Sequence, residues 1–178
     1  EIPEPFEIDD VSEIYKKARK LNKPIKTALL DQTLTTGLGN IYVDEVLYAS
    51  KIHPLTAASH LSKDDWNRVI NNSKEILNIA IEMGGSTIKS YHPGKDIDGN
   101  FQTRLLIYGK GGEECPNCHS IYRFIKVGGR GTTFCPTCQP YHGKQLKVAI
   151  FGKIASGKSE VLKIFKENGC LTLSSDDL

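Results

Sequence analysis

Two Cys-x-x-Cys pairs, Cys115-Pro-Asn-Cys118 and Cys135-Pro-Thr-Cys138, stand sixteen residues apart and constrain this chain more than any other feature. At that separation the four thiolates sit on two turns of a β-hairpin, where they can close a tetrahedron around Zn²⁺ with bonds of about 2.3 Å. Four sulfurs leave no open coordination position. Such a metal is structural, and it replaces the hydrophobic core that a hairpin of roughly 30 residues lacks. Two disulfides or a thioredoxin-type redox pair are competing uses of the same residues. Two matched pairs and the absence of a charged-then-apolar leader favour one structural zinc. Cys170 has no such partner and reads as a buried apolar residue.

Between the cysteine pairs lies Val127-Gly-Gly-Arg130-Gly-Thr-Thr-Phe134. Glycines on both sides of one arginine let the backbone turn tightly and hold the guanidinium at a tip, where it can engage a phosphate bidentately. From these residues alone, an ordinary turn with a solvated arginine is slightly the better reading. The net charge of +2 does not mark a nucleic-acid binder, but the average conceals a polarity. Residues 1–15 carry six acidic side chains and no Lys or Arg, whereas residues 84–146 carry eight basic against four acidic. The basic segment can neutralise phosphates or can equally be a solvated face.

The 178 residues, 39% hydrophobic and 25% charged, suit one or two small globular domains rather than a disordered or collagenous chain. No apolar run approaches the roughly 18 residues that span a bilayer, so a cytoplasmic protein is expected. Because the chain opens on Glu1 and stops at Leu178 after a strand-like run, it is expected to be an excerpt of a longer product. The opening EIPEPFEIDD reads as a linker into a helix over about 11–20, with Val11, Ile14 and Tyr15 on one face. A second helix follows Pro24 and ends near TTGLGN, and a third runs from Ile41 to about Ser50 and is closed by His53-Pro54. The longest starts at Ser62, an N-cap with Asp65 three residues on, and stops at Gly84-Gly85. Its buried stripe is Trp66, Val69, Ile70, Leu77, Ala80 and Ile81. A polar loop from Ser86 to Asn100 precedes β-type runs at 104–108, 121–127 and 131–135. In Gly37-Leu-Gly39-Asn40, Asn40 is placed to cap the following helix, and the free helix N–H groups can seat a phosphate. An interhelical cap with no ligand is the more frequent outcome of such a turn.

Composition shifts again at Gln139-Pro-Tyr-His-Gly143. Beyond it, KVAIFG is an apolar strand candidate feeding Gly152-Lys-Ile-Ala-Ser-Gly157-Lys158-Ser159, a full GxxxxGKS. The helix candidate SEVLKIFKEN follows, with Val161, Leu162 and Phe165 on one side. In that context the loop N–H groups cradle phosphates, Lys158 pairs with the outer ones and Ser159 coordinates Mg²⁺. A fortuitous Gly/Ser turn is the alternative.

Taken in order, Leu30-Asp31-Gln32, Gly37-Leu-Gly39-Asn40-Ile-Tyr42-Val-Asp44-Glu45, Gly84-Gly85-Ser86-Thr87, Phe101-Gln102, Tyr108-Gly109, Gly129-Arg130-Gly131-Thr132 and the four cysteines ending in Gln139 closely resemble the C-terminal half of bacterial formamidopyrimidine-DNA glycosylase, over about residues 1–139. The resemblance implies a mainly α chain with a small β zinc-finger hairpin. Residues 1–103 would form a helix–two-turn–helix DNA-binding domain whose loop 86–102 covers an oxidised purine, and 104–139 a four-cysteine zinc finger. It implies that Asn40 and Arg130 contact the phosphates that pinch around a flipped nucleotide, with Gly37, Gly39 and Tyr42 in the same DNA-binding stretch. The family attacks the sugar with the amine of an N-terminal proline, aided by the adjacent glutamate, and then cleaves the strand as an abasic-site lyase. Pro3-Glu4 instead matches a Pro-Glu-Pro stretch before the helical domain, and the Pro3 imide nitrogen lacks a basic lone pair. No catalytic residue of the glycosylase is therefore expected in this chain.

Residues 147–178 resemble the start of dephospho-coenzyme A kinase, an incomplete α/β P-loop segment in which Gly152, Gly157, Lys158 and Ser159 would bind ATP with Mg²⁺. Asp176 would be the base, but Ser174 replaces the first aspartate of the pair, so kinase activity is not expected and a gene fusion or read-through is. The leading expectation is the lesion-binding half of a base-excision-repair glycosylase, in the bacterial cytoplasm at the nucleoid. It would be a monomer without a membrane partner, acting on duplex DNA with an oxidised purine or abasic site beside a separate N-terminal catalytic lobe. A zinc-dependent DNA-binding module with no enzymatic role and a nucleotide-binding kinase fragment are the competing classes.

Overall fold

A computed structural model describes residues 2–84, 101–141, 148–151, 157–167 and 172. They fall into two compact units, Glu1–Gly143 and Lys144–Leu178. The first holds four helices, α1 (Ser12–Ala18), α2 (Ile25–Leu30), α3 (Asn40–Ala49) and α4 (Lys63–Glu82), followed by the strands β1 (Arg123–Val127) and β2 (Arg130–Phe134).

α4 is set by its cap. Ser62 Oγ accepts from the Asp65 N–H at 3.1 Å while the Asp65 carboxylate accepts from the Ser62 N–H at 2.8 Å, a reciprocal box that satisfies two end donors. From there Trp66, Val69 and Ile70 join one core with Ile14, Ile25, Leu29, Val46 and Leu47, and Ala80 is buried further along the helix. Each fully buried large aliphatic side chain contributes about 1.5–3 kcal/mol. The expected stripe fails at Ile81, which is 68% exposed. It follows Ala80 by a rotation of about 100°, which carries it off the buried face.

α2 is shorter than the sequence suggests. It stops at Leu30, and Gln32 already adopts φ 52, so the stretch to Gly39 is two successive turns rather than helix. Pro3 lies against these turns, its carbonyl accepting from Thr35 Oγ1 at 2.9 Å and from the Thr36 N–H at 3.1 Å.

The strands pair antiparallel from Arg123↔Phe134 to Val127↔Arg130. Their connection is Gly128 (φ 56) and Gly129 (φ 76), the two positive-φ positions that a tight twisted hairpin demands. The run 104–108 is not a strand. A single 3-10 turn, Phe101–Arg104, precedes it, and its N–H groups go elsewhere. Of the expected loop 86–102, residues 86–100 lie outside the described residues.

In the second unit, α5 (Lys158–Glu167) follows Gly157 at φ 80. Residues 148–151 form no strand, and no ladder partner for them exists among the described residues. Gly152, Cys170, Ser174 and Asp176 lie outside the described residues. No described helix is long and apolar enough to cross a membrane.

Candidate nucleic-acid interface

The site is built on α3. Gly37 (φ 82) reverses the chain and Gly39, extended at φ −84 and ψ 176, is the N-cap. Asn40 is thus the first helical residue, one position past the capping role expected of it, and its side chain makes no cap bond. Instead Asn40 Nδ2 donates to the Gly131 carbonyl at 3.3 Å, reaching from the helical part to the hairpin. Asn40, Asp44 and Tyr48 recur every fourth residue, so they share one helix stripe, with Glu45 beside it. All four face the cysteine-bearing segment.

β2 has one edge that β1 does not pair, and an unpaired edge is costly to bury. Two charged side chains cover it. Lys26 Nζ donates to Gly131 O at 2.8 Å and to Asp44 Oδ1 at 2.7 Å, while Asp44 Oδ2 accepts from the Thr133 N–H at 3.2 Å. The ion pair supplies one donor and one acceptor where a third strand would have supplied them. Both side chains are essentially inaccessible to solvent, at 0% and 1% exposure. Burial pushes the Asp44 carboxyl up to about 6 and draws the Lys26 ammonium below its usual range, and the pairing opposes both shifts.

Glu45 does the same for the incoming segment. Its carboxylate accepts from the N–H groups of Leu106, Ile107 and Tyr108 at 2.9, 3.0 and 2.8 Å, which is why 104–108 has no ladder. Gln139 closes the far end, accepting from the Cys135 N–H at 2.8 Å and donating to the Ile52 carbonyl at 2.9 Å. Sequence reasoning assigned none of these four residues a structural task. The available signal was a pair of carboxylates, Asp44 and Glu45, in the middle of an otherwise apolar helix.

The seam leaves a groove of about 460 Å³ between the helical turns and the hairpin tip. Gly39 and Asn40 form one wall, Gly128 and Arg130 the other, and Asp31 and Gln32 lie at its edge. The tip is pressed close to α2, where a Cβ on Gly128 would stand 3.0 Å from Thr27 Oγ1. Arg130 is exposed, so its guanidinium and the Asn40 amide, 90 positions apart in sequence, border one polar recess. Gly37 and Tyr42 do not line it. Gly37 sets the turn, and the Tyr42 ring packs on Phe101 at 5.5 Å.

The four cysteine sulfurs lie within 4.8 Å of one another. Cys115–Cys138 and Cys118–Cys135 are separated by 3.9 and 3.4 Å. A zinc tetrahedron with 2.3 Å bonds has edges of about 3.8 Å, whereas a disulfide needs about 2.05 Å. The donor set fits a closed, structural Zn²⁺ and no bridge between cysteines. Lys158, Ser159 and Gly157 stand together at the start of α5.

Fold and groove define a four-cysteine helical module in which an arginine and an asparagine line one polar recess. The formamidopyrimidine-DNA glycosylase H2TH domain model matches residues 3–92, and the zinc finger found in FPG and IleRS matches residues 112–140. The formamidopyrimidine-DNA glycosylase of Exiguobacterium sibiricum is 50% identical over 140 residues, which cover 76% of this chain and 50% of that protein. A Lactococcus lactis FPG mutant in complex with a Fapy-dG containing DNA superposes with a TM-score of 0.72 at 45% identity, covering 79% of this chain and 52% of that one. The L. lactis enzyme bound non-covalently to DNA containing an AP site gives 0.70 at 45% identity, with coverages of 79% and 50%. The chain belongs to the formamidopyrimidine-DNA glycosylase family. It spans about half the length of the curated relatives it matches.

Proposed function

We propose that residues 1–141 grip duplex DNA at an oxidised purine or an abasic site, as the DNA-holding part of a base-excision glycosylase and abasic-site lyase. The observation that carries this reading is the groove lined by both Asn40 and Arg130, made where the buried Lys26–Asp44 latch joins helix to hairpin. Arg130 would fork onto one phosphate and the outward N–H of Asn40, with the free N–H groups opening α3, would hold the next. The Arg130 cation on one wall and the partial positive charge of the α3 N-terminus on the other favour a pinched backbone, the geometry from which a weakly stacked damaged nucleotide is extruded at least cost. Gly37 and Gly39 serve by shaping the turn, and Tyr42 by anchoring the return of the chain at Phe101. The relatives crystallised with Fapy-dG and AP-site DNA support the choice of ligand.

Zn²⁺ on Cys115, Cys118, Cys135 and Cys138 would supply rigidity only, because a closed thiolate site cannot activate water. The 178-residue polypeptide binds and does not excise, since Pro3 offers an acylated nitrogen tied through its carbonyl to Thr35 and Thr36. Fluorescence anisotropy with a duplex containing an abasic analogue tests binding, with the matched undamaged duplex as reference. Borohydride trapping on abasic DNA tests the chemistry: a covalent adduct would refute the second claim while leaving the first intact.

For the second unit, we propose a phosphate-binding turn at Gly152, Gly157, Lys158 and Ser159 that takes ATP with Mg²⁺. A left-handed Gly157 directly followed by a helix starting at Lys158 favours it. Calorimetric titration of ATP with Mg²⁺, and its loss on Lys158→Ala, checks the reading.

A further inference from the structure

A zinc ion on four thiolates forms a centre of net charge −2, and here two of its sulfurs, on Cys115 and Cys135, are fully buried. A buried dianion is tolerable only if its sulfurs accept hydrogen bonds. The cysteine segment furnishes several, backbone N–H groups of Asn117, Cys118, Ser120 and Thr137 among them. Asn117 Nδ2 donates to Cys138 Sγ at 3.2 Å, and the Cys138 N–H donates to Cys135 Sγ at 3.3 Å. Another comes from outside that segment, for the Tyr48 hydroxyl on α3 lies 3.2 Å from Cys115 Sγ.

We propose that Tyr48 is a positioning residue of the metal centre, its hydroxyl donating to the metal-bound Cys115 sulfur and so tying α3 into the zinc site. This rests on the zinc reading given above. A metal-bound thiolate carries no proton, so in the loaded centre the phenol is the only possible donor of that pair. The direction is therefore fixed by chemistry. Packing holds the hydroxyl in place: the Tyr48 ring meets the Tyr122 ring edge-on at 5.9 Å, and both belong to the small cluster of Ile107 and the cysteines. The Tyr122 hydroxyl is buried in the same cluster, beside the Tyr48 hydroxyl and the same sulfur, and the Tyr48 hydroxyl is the one that meets Cys115 Sγ at 3.2 Å. Tyr48 lies eight residues, or about 12 Å of helix rise, from Asn40 on the same stripe. One rigid element thus touches both the metal ligand and the groove.

The test is Tyr48→Phe in the full chain, which keeps the ring and its contact with Tyr122 and deletes only the donor. Zinc affinity is read by competition with a chromophoric chelator, and Co²⁺-loaded protein is read by its absorption. Expected are about a tenfold weaker hold on zinc and a thiolate-to-cobalt charge-transfer band displaced to longer wavelength, because an unbonded sulfur gives up its electrons more readily. p-Aminophenylalanine at position 48 restores a donor on the same ring and is expected to reverse both changes, which separates the hydrogen bond from any loss of packing. If wild type and Tyr48→Phe hold zinc equally and share one cobalt spectrum, the proposal is overturned although the zinc reading stands. If wild type takes up no zinc, both fall together. A Tyr48→Phe protein that weakens but is not rescued by the amine marks a packing effect, and that too overturns the proposal.

Discussion

Replacing Lys26 by Met tests the latch directly, because Met keeps the length and apolar stem of the side chain and removes only the ammonium. In the wild type that ammonium serves Asp44 Oδ1 at 2.7 Å and Gly131 O at 2.8 Å. Without it, among the described residues the Asp44 carboxylate retains only the Thr133 N–H at 3.2 Å, and the Gly131 carbonyl only Asn40 Nδ2 at 3.3 Å. Breaking one partner out of a buried pair costs about 3–5 kcal/mol, a large share of the 5–15 kcal/mol by which domains are stable at all. Trp66 is the sole tryptophan and is fully buried, so urea unfolding of the zinc-loaded chain can be followed by its fluorescence.

The pH dependence of that loss is also fixed in sign. Burial already lifts Asp44 to about 6, above its unfolded value of 3.8. Removing the cation lifts it further, so near pH 8 the variant carries an unpaired buried charge, and as the pH falls it gains stability by taking up a proton. Below about 6 the carboxyl is protonated in both proteins and the gap stays level. The gap between wild type and Lys26→Met should therefore be widest at about pH 8 and narrow towards about pH 6. Lys26→Met/Asp44→Asn should recover to within about 1 kcal/mol of wild type, because the amide introduced at position 44 can accept from Thr133 and donate to Gly131. A single variant within about 1 kcal/mol of wild type at pH 8, or a double variant no better than the single, would refute the latch.

Arg130→Ala should weaken binding to abasic-site DNA about tenfold and lower the slope of log affinity against log salt by about one; an unchanged slope in anisotropy titrations removes Arg130 from the phosphate contacts. Zinc withdrawal should lower the urea midpoint reported by Trp66, although that residue lies in the helical core, because the seam groups around Asp44 and Glu45 lose their partners; a midpoint indifferent to chelation would show the two parts to be independent. His53 is buried against Phe134 and Tyr141, its Nδ1 accepts from the Leu55 N–H at 3.1 Å, and burial depresses its pKa to about 4 from 6.5. The stability it contributes is complete above pH 6.5 and is lost as the pH falls towards 4, the loss amounting to about 2 kcal/mol at pH 5. Asp44 has the opposite sign over an overlapping range, so the measurement is the difference between wild type and His53→Gln from about pH 7.5 to 5, and a pH-independent difference contradicts it.

What the sequence made legible was local. The four cysteines carry their own spacing, Ser62 and Asp65 their own cap, and Gly128-Gly129 their own turn, each decided by residues a few positions apart. What it hid was the fate of charges. A lysine and two carboxylates on short helices gave no sign of burial, since nothing within a helical turn of them could satisfy a buried charge. Their partners are supplied from far along the chain: Gly131 is 105 positions from Lys26, Thr133 is 89 from Asp44, and Leu106 is 61 from Glu45. The same distance explains the misread strand at 104–108, where apolar residues were visible and the carboxylate that takes their N–H groups was not.

Those distances bear on how the proposed DNA-holding groove is made. Neither wall is rigid on its own account: Arg130 sits at the tip of a two-stranded hairpin, a unit marginal by itself, and Asn40 at the mouth of a ten-residue helix. Each becomes fixed only when the other part satisfies its buried polar groups, the hairpin edge by Lys26 and Asp44, the α3 carboxylates by backbone N–H groups of the finger. A cut between residues 103 and 104 would therefore yield two pieces, one with an uncovered strand edge and one with two carboxylates stripped of their donors. The spacing of Asn40 and Arg130 is thus a property of the seam rather than of either part, and on the proposed function a substitution that loosens the seam without touching DNA should weaken binding as a direct contact residue would.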